Sequence, residues 1–262
     1  MTGSVDEQRL PASIGGLVDL AFASLAERAP LYLALSLAVF AAGAIVEFAI
    51  PAAKLGTPPA DLKLLVFQYT SVFADSFVIA AVALGIGTRV ADETASARTI
   101  AGATVSRWLP VIGVNLIVQF VQIGTLSLSG VGELPDPPAL ALVTAPLTWL
   151  LWGALGLAAP IAALSADRPT MAIFSSILRA LVLSLHPTNL VRLCVVAFAS
   201  ILPTLLQNVA YDQAVRHHVS RAVFLANVPI DALTVVVVAA VQTVFALDFA
   251  RRLGRLDTPK KH

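Results

Sequence analysis

One aspartate and three amides carry what chemistry the apolar parts of this sequence could do. Asp75 falls about ten residues into the run that begins near Val66, roughly 15 Å along a helix rising 1.5 Å per residue. A bare carboxylate at that depth costs about 2.5–3.5 kcal/mol on insertion scales, so it must face other helices or carry a proton. In one reading Asp75 is a proton or cation site. In the other it is a protonated, hydrogen-bonded member of a helix bundle, or it lies near the outer interface because the span starts closer to Val72. Asn115, Gln119 and Gln122 stand at i, i+4 and i+7, one polar stripe on a helix. Amides in hydrocarbon seek partners across helices at about 0.6–2 kcal/mol each, so the stripe should face inward, toward Asp75. It is glue between helices or one wall of a polar path.

Other polar residues read more plainly. Asp231 follows Pro229 and predicts a helix N-cap. Glu47, near the outer end of the first span, snorkels or meets Lys63 or Arg221. Asp248, one turn before Arg251 and Arg252, reads as an interfacial ion pair that contributes little. His186, before Pro187, is an ordinary helix end, and the adjacent His217 and His218 would point apart on a helix. There is no nucleophile elbow, HExxH, Walker loop or dinucleotide fingerprint, and no acidic pair has metal-ligand spacing. No catalytic residue, cofactor or metal site is therefore assigned, and the chain is expected not to be an enzyme.

The elements that must position these residues are membrane helices. Hydrophobic residues make up 58% of the 262 and charged residues only 13%, with mean hydropathy +0.85. A soluble domain carries about 25% charged residues, so the charge here is too sparse to cover a soluble surface. A net charge of +1 gives no case for nucleic-acid binding. The single cysteine, Cys194, lies in an apolar run and rules out an intrachain disulfide. The leading stretch is long, contains Asp6, Glu7, Asp19 and Glu27, and lacks a compact basic n-region, so no cleavable signal is expected.

Six stretches meet the ~20-residue requirement of a bilayer helix: Leu31–Ile50, Val66–Thr88, Leu109–Leu128, Ala139–Leu164, Leu190–Val209 and Ile230–Ala250. Before the first, third and fifth stands an amphipathic lead with offsets i, i+3, i+4, i+7 and i+11. The leads carry Ile14, Leu17, Val18, Ala21 and Leu25, then Ala97, Ile100, Ala101, Thr104 and Trp108, then Phe174, Ile177, Leu178, Leu181 and Leu185. Each runs through a proline (Pro30, Pro110, Pro187) into its span, and a break is expected there. The expectation is an all-α membrane protein of six transmembrane helices with three cytoplasmic amphipathic helices in a pseudo-threefold repeat. It forms one domain over 1–262, with units of approximately 12–90, 91–168 and 169–255 and tails at 1–11 and 256–262.

Orientation follows from the basic residues. Arg9, Arg28, Arg89, Arg98, Arg107, Arg168, Arg179, Arg192, Arg251, Arg252, Arg255, Lys260 and Lys261 fall on one face, and Lys54, Lys63, Arg216 and Arg221 on the other. Thirteen against four places both termini and all three leads in the cytoplasm.

The stretches SIGGLVDLAFASLAERAPLYL, SARTIAGATVSRWLPVIGV, WGALGLAAPIAAL, ADRPTMAIFSSILRALVLS and ALDFARRL together resemble the YciC-like bacterial membrane proteins. They are also similar to the membrane domain attached to some glycerophosphoryl diester phosphodiesterases. Many relatives carry a glutamate at the polar exit and an arginine-serine pair in the third lead, where this chain has Asp167-Arg168 and Ser175-Ser176, with Arg179 further on. The resemblance implies a six-span helical fold and no phosphodiesterase activity, since the catalytic barrel of those enzymes has no counterpart here.

The favoured expectation is a non-enzymatic inner-membrane scaffold or partner-binding subunit. Arg98, Arg107 and Arg179 would meet membrane lipids, a protein partner or a second copy of the chain. The alternative is a small transporter or channel lined by Asp75 and the Asn115–Gln122 stripe.

Overall fold

The computed structural model describes residues 10–49, 58–91, 93, 95–125, 128, 138–201 and 221–257. Among the described residues there are helices and no strands. They are α1 (Ile14–Ala49), α2 (Pro58–Val90), α3 (Ala97–Gly124), α4 (Pro138–Gly156), α5 (Ala158–Leu164), α6 (Pro169–Leu185), α7 (190–201) and α8 (Arg221–Asp257). The loop residues Lys54, Asp212, Arg216, His217 and His218, and the side chains of Glu47, Lys63, Arg221 and Asp231, lie outside the described residues.

Among the described residues five helices are long and apolar enough to cross a membrane: Ile14–Ala42, Val72–Val90, Ala97–Gly124, Leu142–Leu164 and Ala232–Arg252. Pro169–Leu185 and Pro187–Ile201 pass the same test only as a pair, bent by 83°. This is the architecture of a multi-pass helical membrane protein. Helices α1, α2 and α8 pack on one another, and α5 sits among α2, α3 and α6. Their inner faces are built from small residues, with Ala80, Ala81 and Ala83 of α2 and Ala239 and Ala240 of α8 fully buried. In lipid, dispersion between closely approaching backbones holds such helices together. A close approach to backbone occurs at Gly153 of α4, where an added Cβ would lie 2.7 Å from the Cα of Ala197 in α7.

Prolines set several boundaries differently from the sequence reading. α2 begins at Pro58, not Val66, because proline's fixed φ and missing N–H suit the first helical turn. α8 begins at Arg221, so Pro229 and Asp231 fall inside a helix and Asp231 is no N-cap. Bilayer helices tolerate such internal prolines when their surroundings compensate for the lost hydrogen bond. Within the fourth predicted run, Pro160 cannot donate to the carbonyl of Gly156, and the helix breaks there into α4 and α5 around Leu157.

The three leads join their spans in three ways. In α1, lead and span form one helix with a kink at Arg28 (φ −123°, ψ 20°), two residues before Pro30. In α3 the expected break at Pro110 does not occur. Ser96 caps the helix by accepting from the N–H of Thr99 at 3.1 Å, and the helix runs unbroken through a buried Pro110 to Gly124. The third lead, α6, turns sharply into α7. Pro187 holds His186 in extended geometry (ψ 126°). The buried Asn189 then donates its amide to the carbonyl of Leu183 at 2.9 Å, fastening the corner.

The stripes also face different ways. Leu17, Ala21 and Leu25 of the first lead, and Ile100 and Thr104 of the second, are buried in the bundle. Phe174, Leu178 and Leu185 of the third are 64–80% exposed, while Ala172, Ser176, Ala180 and Ser184 form its buried side. α6 thus turns Phe174, Leu178 and Leu185 outward, while Ile177 and Leu181 of the same stripe pack against the core.

Candidate functional site

The polar set predicted at membrane depth joins α2 to α3. Asn115 donates from Nδ2 to the Ser76 hydroxyl at 2.9 Å, and Ser76 donates to the carbonyl of Val72 at 2.6 Å. Ser76 is fully buried. The amide therefore meets α2 one residue from Asp75, which is itself half-buried near the middle of that helix. Gln119 and Gln122 are half-buried on the same helix as Asn115. Toward the start of α3, Trp108 donates from its indole N–H to the carbonyl of Phe73 at 3.1 Å and meets the rings of Phe73 and Phe77 edge-on.

A second cluster forms where α5 hands over to α6. Asp167 lies in the short connection, with its own N–H donating to the Ser165 hydroxyl at 3.1 Å. Its Oδ2 accepts from Ser175 at 3.0 Å and faces Arg179 Nη2 at 3.3 Å. Arg107, from α3, reaches the Asp167 carbonyl at 3.5 Å. The Ser175 hydroxyl, then that of Ser165, and the charges of Arg179 and Arg107 hold this carboxyl below the ordinary carboxylate range. Of the three arginines named as interface candidates, Arg107 and Arg179 each contact Asp167. Arg98 stands exposed in the first turn of α3.

A third cluster was underestimated in the sequence reading. Asp248 is fully buried. Arg252 Nε donates to it at 2.8 Å, Arg251 binds its other oxygen, and Arg192 Nε from α7 lies 3.1 Å away. The same guanidinium groups collect the carbonyls of the segment before α1. Arg251 takes those of Leu10 and Pro11, and Arg192 takes that of Ala12 at 2.6 Å. This is a buried network holding three parts of the chain, not a minor surface pair. Nearby in the threading, Glu27 of α1 pairs with Arg89 of α2 at 3.0 Å.

The i+3 and i+4 spacing of Arg251 and Arg252 from Asp248 was the signal available in the sequence. Nothing in the spacing could supply Arg192, and Asp167 had only its place beside Arg168 to distinguish it. The Asp167 and Asp248 clusters lie at helix ends, whereas the Asn115–Ser76 bond lies near the middle of α2. Among the described residues no group of three or more histidine, cysteine, aspartate or glutamate side chains could hold a metal ion. Comparison with protein-family models, curated proteins and solved structures finds no match.

Proposed function

We propose that this chain is a non-enzymatic, multi-pass scaffold of a bacterial inner membrane whose arginine-bearing end faces the cytoplasm and docks anionic lipid or a partner. The observation that carries the reading is the meeting of Arg107 and Arg179 at Asp167, beside the outward apolar face of α6. Cations bordering an apolar helix face are the pattern of an interfacial helix on an anionic leaflet. The thirteen-to-four distribution of basic residues supports the orientation.

Reversing charge at Arg98, Arg107 and Arg179 should abolish lipid or partner association, and unchanged association would refute the reading. Cysteines placed at 98 and 179, with Cys194 replaced by serine, should resist impermeant reagent applied outside the cell.

The transporter reading is favoured by one contact, the Asn115–Ser76 bond beside Asp75. Asp75→Asn would then abolish proton- or cation-coupled flux, and equal flux removes it.

A further inference from the structure

Under α6, where it crosses the ends of α5 and α8, lies an open groove of about 490 Å³. That is within the roughly 300–1,000 Å³ of small-molecule sites. Its walls are almost wholly apolar, with Ile161 and Leu164 from α5, Leu178 and Val182 from α6, and Leu247 and Ala250 from α8. Arg179 is the charged residue in the lining, and its side chain is 55% exposed.

We propose that this groove holds an anionic phospholipid, one acyl chain lying along the apolar walls and its phosphate on Arg179 and Arg107. The proposal rests on the scaffold reading above and names its lipid. Charge complementarity carries it. Arg179 lines the groove and faces the Asp167 carboxylate, and Arg107 reaches the carbonyl of the same residue, so two cations meet one anion beside the groove. The walls are continuous with an outward apolar surface. Leu178 and Val182 line the groove and are 64% and 51% exposed, and Phe174 and Leu185 extend the same face. A soluble anion would satisfy the arginines and leave the apolar trough wet. A zwitterionic lipid would fill the trough with no net charge to answer the cations.

The full chain, placed in nanodiscs of equal phosphatidylglycerol and phosphatidylcholine and then released for native mass spectrometry, reports which lipid stays bound. The intact protein should retain phosphatidylglycerol over phosphatidylcholine by roughly fivefold, the weight of one basic residue at an anionic surface. Arg179→Gln should bring the ratio near one, and Arg98→Gln should leave it unchanged. Ala250→Trp, on the exposed edge of α8, should fill the trough and lower retention of both lipids, which keeps the test decisive if the arginine variant does not fold. An Arg179→Gln protein with the ratio of the parent, or an Ala250→Trp protein with undiminished retention, overturns the proposal. The nanodisc offers lipid to both ends of the bundle, so this result is independent of the labelling experiment that tests orientation.

Discussion

Arg192 Nε, at the start of α7, lies 3.1 Å from the carboxylate of Asp248, a side chain with no solvent exposure near the end of α8. The pair ties two helices whose sequences give no hint of each other. With Arg251 and Arg252 on the same carboxylate, three cations converge on Asp248. Removing one member of a buried ion cluster leaves charge uncompensated, which costs about 3–5 kcal/mol. Asp248→Ala should therefore lower thermal stability sharply in detergent, followed by size-exclusion chromatography after heating. Arg192→Met should cost less, because Arg251 and Arg252 still neutralise the carboxylate.

The α4–α7 contact gives a prediction of opposite signs at two glycines. Gly153→Ala would drive a methyl into the backbone of Ala197, which cannot swing aside, and overpacking of this kind costs about 1–3 kcal/mol. Gly102, in α3, has nothing within 4 Å of an added Cβ. Gly102→Ala should stabilise by up to about 1 kcal/mol through helix propensity. Melting the two variants side by side checks both.

Asn115→Leu removes the amide bridge to Ser76. Measured interhelical hydrogen bonds in bilayers suggest a loss of about 0.6–2 kcal/mol. The variant should still insert and still bind lipid at α6, which separates the α2–α3 bridge from the arginine end.

Asp167 makes the α5–α6 connection sensitive to acid. Its carboxyl is held below the ordinary value by the hydroxyls of Ser175 and Ser165 and by Arg179, so the folded state favours the charged form. That stabilisation is fully present above the ordinary carboxylate range and is lost as pH falls through the lowered value. Proteolytic nicking near the connection should rise at low pH in the parent, and Asp167→Asn should show that nicking already at neutral pH.

Much of the helical plan could be read directly. The apolar runs and the corner at His186-Pro187 rest on local rules of length, periodicity and proline geometry. What escaped was decided by partners distant in the chain. Pro110 was expected to break its helix, yet it is buried within a continuous α3. The three leads share one spacing, and periodicity marks a stripe without saying which neighbour covers it. Only packing shows Leu17 and Ile100 turned inward and Phe174 turned out. The polar stripe of α3 was expected to face inward, and at Asn115 it does. Its acceptor is Ser76, a residue too ordinary to single out.

The carbonyls of Leu10 and Pro11 are gripped by Arg251, some 240 positions later in the chain. During synthesis the segment before α1 therefore lacks its Arg251 clasp while every earlier crossing is laid down. The clasp closes only when α8 has emerged, so a ribosome stalled before Arg251 would leave an inserted but unlatched bundle exposed to membrane proteases.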